Sequence, residues 1–262
     1  MSCKMHHTRR SPARPSALQH SLSTGCGRLQ ATSRNRAALP APCQGLPGFA
    51  LASTKVRMQN DQYPTSAIPE RQIRATYDEA TIRVYQAYSD VIADAALANG
   101  TLTAPPFKME RMTWIKPSFL WMMYRAGWGF KDAGQQRILA IDISRAGFEW
   151  ALEHGCLSRA DASMSKDEWT AKKEASPVRI QWDPERDLLL RPQPYRAIQI
   201  GLSKEAVELY VHQWITRVAD VTPLAHSIHA LLAQEKFEEA RHMLPQEKPY
   251  SSVLHPSVAP TP

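Results

Sequence analysis

A chain of 262 residues has room for one large domain or two small ones. Its net charge of +7 is uneven: residues 1–60 hold nine Lys or Arg and no Asp or Glu, leaving 23 basic and 25 acidic residues, a net of −2, over the rest. The pI of about 9.3 therefore belongs to an N-terminal tail, and domain charge gives no support to a nucleic-acid-binding module.

In chain order, residues 1–67 are rich in Arg, Ser, Ala and Pro and poor in large apolar side chains, so a disordered basic tail is expected. An acid-free Arg/Ser-rich start resembles a transit peptide, which makes the mitochondrion the alternative to a cytoplasmic location; an unselected extension is the plainer reading. Three of the four cysteines (Cys3, Cys26, Cys43) fall in the tail, which excludes a disulfide framework and a Cys-rich zinc site, fits a reducing intracellular compartment and leaves no metal expected. No run approaches the roughly 18 apolar residues of a membrane span.

A domain is expected over 68–244. Arg71–Thr76 suits a short strand, and Asp78 suits the cap of a helix over Glu79–Asn99, where Ile82, Tyr85, Ile92 and Ala96 recur at helical spacing and Gly100 supplies a stop. Arg111–Ile115 suits an extended segment, and Pro117 opens a helix over Ser118–Arg125 that Gly127 ends. Gln136–Ile143 patterns as a strand, followed by a helix from Ser144 to His154. Cys156, just beyond, suits a small buried residue better than a nucleophile. Asp161–Ser176 suits a polar insertion, Pro177–Trp182 a strand, Asp183–Pro194 a charged turn and Tyr195–Gly201 another strand. Helices are predicted over Lys204–Val218, from Thr222 to Leu232, and over Lys236–Met243. The prolines of 245–262 mark a C-terminal tail. The order implies an α+β fold, a small, mostly antiparallel sheet or sheets flanked by helices.

The stretch RMTWIKPSFLWMMYRAGWG (Arg111–Gly129) sets Trp114, Trp121 and Trp128 beside Arg111, Lys116 and Arg125. Burying cations among tryptophans costs free energy unless each finds a partner, and an anion such as a phosphate is one. Arg74, Lys116, Arg125, Lys131 and Arg196 are candidate phosphate contacts, against the reading that carboxylates such as Asp78, Asp142, Asp183 and Glu185 tie them off. In QWDPERD, Asp183, Glu185 and Asp187 with Arg186 put three carboxylates and one guanidinium within five positions; Asp183 and Glu185 are candidate catalytic residues with Trp182 as an apolar wall, and the bland reading is a β-turn. His226 and His229 lie one helical turn apart, with His212 a helix earlier; a solvent-facing pair suits them better than a metal site. Phosphate-binding glycine loops and the common zincin and hydrolase motifs are absent from the sequence.

Five fragments, IRATYDEATIRVYQAY, RMTWIKPSFLWMMYRAGWG, LAIDISRAGFEW, VRIQWDPERD and YRAIQIGL, resemble the family catalogued as domain of unknown function 4291. The resemblance spans roughly residues 68–232 and implies boundaries rather than an activity. At fold level the layout is also similar to ADP-ribosyltransferases. That likeness implies NAD as cofactor, Arg74 as the first-strand basic residue, Tyr77 or Trp114 as the ring stacker, and Gln181 with Asp183 as the late-strand pair, Asp standing where Glu is usual. Lys116 and Arg125 would then hold phosphates, and Asp183 or Glu185 would stabilise positive charge on ribose. The alternative is a non-catalytic module that grips phosphate-bearing partners, RNA included, through the same cations.

Overall fold

Residues 68–160 and 164–252 are described by the computed structural model; the tail expected over 1–67 lies outside them. The strands are β1 (Arg74–Ala75), β2 (Thr81–Tyr88), β3 (Thr113–Ile115), β4 (Arg137–Ser144), β5 (Gly155–Leu157), β6 (Val178–Arg186), β7 (Pro192–Leu202), β8 (Ile215–Asp220) and β9 (Lys248–Pro249). The helices are α1 (Asp90–Asn99), α2 (Phe119–Ala126), α3 (Arg145–Glu153), α4 (Lys166–Ala175), α5 (Glu205–Leu209), α6 (Thr222–Ala233) and α7 (Phe237–His242). This is an α+β fold. One sheet runs β2-β4-β8, a second β3-β7-β6-β5, and β1 pairs with β9; among the described strand pairs β5–β6 is parallel and the rest are antiparallel.

The three-stranded sheet contains the two main departures from the expected elements. The helix expected over Glu79–Asn99 is a strand in its first half, because Thr81-Ile82-Arg83-Val84 alternates in burial and its branched side chains suit a pleated surface. Asp78 accordingly bonds the Ala80 and Thr81 amides of a turn rather than capping a helix, and α1 begins only at Asp90. Arg83 faces Asp142 across the β2–β4 ladder and grips it with both carboxylate oxygens, at 2.7 and 2.9 Å. The helix expected over Lys204–Val218 likewise stops early. After α5 comes a π-helical turn, Tyr210–Trp214, and then β8, which pairs with β4.

Strand β4 is buried on both faces. Leu139, Ile141 and Ile143 join Ile82, Val84, Phe148, Ile180, Ile198 and Ile200 in one core; Ile138 and Ala140 join Tyr85, Phe119, Met123, Trp128 and Ile228 in another, beneath α2, α6 and α7. Each fully buried side chain of this size contributes roughly 1.5–3 kcal/mol. Cys156 is buried in β5, and the expected insertion carries α4, started by a Ser165/Glu168 capping box.

Two boundaries also differ. The charged turn expected over Asp183–Pro194 shrinks, since β6 runs through Arg186 and β7 starts at Pro192; the turn is closed by Asp187, which accepts from the Leu189 and Arg191 amides. The tail expected from Pro245 is part of the fold as far as Tyr250. Lys248–Pro249 pairs with β1, Tyr250 is buried, and its hydroxyl donates to Glu149 at 2.5 Å. Prolines suit this edge because their missing N–H groups face no ladder partner.

Helix α2 lies one residue later than expected, with Ser118 as its cap and Pro117 ahead of it. The Ser118 side chain accepts from Trp121 N at 3.1 Å, and Gly127 takes the left-handed conformation that closes the helix. Trp128 and Gly129 keep positive φ values of 59° and 89°, which swings the chain away sharply and buries Trp128 against Phe119.

Candidate functional site

Trp114 and Lys116 reach the site from β3 and the residue beyond it, and Arg125 from the last turn of α2. Antiparallel alternation gives the four-stranded sheet one apolar face, with Val178, Ile180, Ile198, Ile200 and Leu202 in the core. The opposite face carries Gln181 across from Gln199 and Trp114 across from Gly201. Gly201 is required there: a Cβ would come within 3.0 Å of the Trp114 indole and 2.8 Å of Met112 Sδ.

Beside this face lies an open cavity of about 460 Å³. Its walls include Lys108, Arg111, Lys116 and Arg125, with Trp114, Tyr88 and Phe107, and no carboxylate among the described lining residues. Lys108, Arg111 and Arg125 are exposed at the rim, and Arg125 donates to Gln135 at 3.1 Å. Lys116 is the deep member, 7% exposed. Its Nζ donates to the Trp114 carbonyl at 2.9 Å and sits 5.8 Å from the Trp121 ring centre. Burial, reinforced by the Arg125 charge, brings its amine down to about 7, with Asp183 pulling the other way. Beneath it Gln86 donates to Thr113 Oγ1 at 2.6 Å and accepts from the Tyr210 hydroxyl at 2.7 Å, so this polar floor is internally satisfied.

Asp183 is held by two amides. Gln181 donates to it at 3.0 Å and Gln199, which lines the cavity, donates to its other oxygen. The sequence-predicted set thus divides. Trp114, Lys116 and Arg125 share the cavity, and Asp183 with Gln181 stands next to it. Arg74 and Glu185 line a second, smaller cavity of about 170 Å³ with Ser118, Tyr195 and Glu247. Tyr77 lines neither; it packs edge-on against Tyr250, 4.9 Å between centres, and donates to the Pro249 carbonyl. Arg196 is paired with Glu70 at 2.8 Å, and Lys131 is exposed.

The second cavity joins two acids from distant parts of the chain. Glu185 is buried, and its Oε1 accepts from Ser118 Oγ at 2.9 Å and Arg186 N at 2.8 Å. Burial pushes its carboxyl up from the ordinary range against those bonds. Glu247 accepts from Phe119 N at 2.7 Å; burial first, then the neighbouring Glu185 charge, raises it to about 8. His229 is exposed, as expected, and His226 is half-buried; both touch the exposed Phe130 ring, His226 stacking on it at 4.4 Å, because the turn after α2 lays that ring on α6. Among the described residues no cluster of three or more His, Cys, Asp or Glu is placed to hold a metal, and no helix is long and apolar enough to cross a membrane.

Sequence reading missed Gln86, Tyr88 and Gln199, and it missed Glu247. The first two were hidden by assigning β2 to a helix; strand alternation in TIRVYQAY was the available signal. Glu247 lay in a segment taken for a tail. The profile of one family, Domain of unknown function (DUF4291), matches residues 72–250. Curated proteins give no match.

Proposed function

The chain belongs to the DUF4291 family, whose description assigns no activity, and we propose from the geometry that its Lys116 cleft binds a phosphate-bearing small molecule with a flat ring, a nucleotide or dinucleotide such as NAD. The observation that carries this reading is the convergence of Lys108, Arg111, Lys116 and Arg125 on one concave wall with no carboxylate among the described lining residues. Three rim cations beside the Lys116 amine repel one another, Asp183 offsetting Lys116 in part, and a phosphate relieves that repulsion while taking the fork of Arg111 or Arg125. Trp114, half-buried over Gly201, offers a ring face for stacking. Lys116, deepest and least hydrated, is suited to take up a proton when an anion arrives.

ADP-ribosyl transfer asks for more. Arg74 and Glu185 lie at the other cavity, so the support extends to the ligand class and to Asp183 as a nearby carboxylate rather than to the transfer step. A long polyanion is less favoured, because the chain beyond residue 60 is slightly acidic overall. Calorimetry on the full chain with ATP, NAD, inorganic pyrophosphate and single-stranded RNA tests the reading. Binding of at least one of the three small ligands, weakened in Arg111→Ala and Arg125→Ala, supports it. Absence of binding at millimolar ligand, or RNA binding alone, overturns it.

A further inference from the structure

The cleft holds one amine unlike its other cations. Lys108, Arg111 and Arg125 are exposed, whereas Lys116 is buried, its Nζ bonded to the Trp114 carbonyl at 2.9 Å and 5.8 Å from the Trp121 ring centre, with Trp114 and Met122 lining the same cavity. The charged and titratable groups around it are Arg125 from α2, Asp183 from β6, Tyr88 from β2, and Lys108 and Arg111 from the loop before β3. A lysine desolvated in an apolar wall beside a second cation is the arrangement that turns an ammonium into a free nucleophilic amine. The rim cations meanwhile suit an anion.

We propose that Lys116 forms an imine with the carbonyl carbon of a phosphate-bearing aldehyde or ketone, a class that includes reducing sugar phosphates and ADP-ribose, whose phosphate is held by Arg111 and Arg125. This rests on the phosphate-binding reading of the same cleft and names its substrate class. The Nζ lone pair adds to the carbonyl carbon, a C–N bond forms, and the carbonyl π pair moves to oxygen, which takes the proton that nitrogen loses. The carbinolamine then expels that oxygen as water, taking a second proton from nitrogen, and a C=N bond remains. Amine and carbonyl give imine and water, and no oxidant or reductant enters.

The test incubates the full-length protein with ribose 5-phosphate, ADP-ribose or unphosphorylated ribose in the presence of cyanoborohydride, which traps an imine as a secondary amine, and maps adducts by peptide mass spectrometry. At pH 7 Lys116 should be labelled on the order of a hundredfold faster than a lysine at the ordinary value, since burial leaves much of its amine unprotonated, with Lys131 as the reference site in the same digest. The phosphorylated sugars should react faster than ribose, and inorganic pyrophosphate should protect. Lys116→Arg keeps a positive charge and should lose the adduct; circular dichroism checks its fold. Labelling of Lys116 no faster than Lys131 overturns the proposal. If nucleotides or pyrophosphate bind yet Lys116 is not preferentially trapped, the imine falls and the binding site stands. If Lys116 is trapped equally by ribose and ribose 5-phosphate, without protection, the phosphate-bearing substrate class falls.

Discussion

Replacing Lys116 with Met should stabilise the fold while disabling the cleft. The unfolded chain keeps the lysine near 10.5, whereas the folded protein holds it near 7, a difference equivalent to about 5 kcal/mol at pH 7 and below. Folding must strip a proton from Lys116 or enclose its charge, and Met fills similar space with neither cost. Against this stands the lost bond to the Trp114 carbonyl, worth about 1 kcal/mol; that oxygen also accepts from Gln86 at 3.2 Å, so it is not orphaned. The net expectation is a gain of about 2–4 kcal/mol at pH 6–7. The sign with pH follows from linkage. Above about 7 the native state binds fewer protons than the unfolded chain, so wild-type stability rises by up to about 1.4 kcal/mol per pH unit from this group, and the advantage of the variant shrinks by about 2 kcal/mol between pH 7 and 9. Urea unfolding of both proteins at pH 6, 7, 8 and 9 measures it. A variant less stable than wild type at pH 6, or a gap that does not narrow with pH, would refute the account of Lys116 as a desolvated amine.

Three further outcomes are expected. Pyrophosphate binding should strengthen as pH falls towards about 7 from above, by up to about tenfold per unit from this group, and level off below it, because the bound anion favours protonated Lys116; calorimetry at about pH 8 in buffers of different ionisation heat should show proton uptake, and a pH-independent affinity above about 7 would contradict it. Glu247→Gln should stabilise increasingly as pH rises from 4.5 towards 8, since the wild-type acid, raised to about 8 in the fold, loses about 1.4 kcal/mol of stability per unit across that window; parallel urea midpoints with pH for both proteins would count against it. Gly201→Ala should push the Trp114 ring and Met112 aside and weaken ligand binding several-fold without changing its salt dependence, because no cation is removed; titration at two ionic strengths decides.

Some punctuation signals were legible in the sequence: Gly127 ends α2, Gly100 ends α1 and Ser144 opens α3 by accepting from Gly147 N at 3.2 Å, whereas Asp78 closes a turn instead of capping a helix and Ser118, expected inside α2, is its cap. What failed was period assignment in segments buried on both faces. The β2 segment carries buried residues at 82, 84, 85 and 86, a cluster that matches helical spacing as well as strand alternation when read alone. Only the pairing with β4 decides between them, and pairing is not local. The site shows the same divide. Trp114, Lys116 and Arg125 are close in sequence and could be grouped by their odd composition. Gln199 and Glu247 arrive from distant elements and have no local signature.

The segments Lys116-Pro117-Ser118 and Asp183-Pro184-Glu185 follow one pattern. In each, the first side chain serves the larger cavity and the third serves the smaller one, Asp183 reaching the larger through Gln199. The register of β6 against β7 shifts between Pro184 and Arg186, so the strand breaks step where it passes from one chamber to the other. The two hollows therefore share these two tripeptides, Lys116 lining one and Ser118 and Glu185 the other, so neither segment belongs to a single cavity.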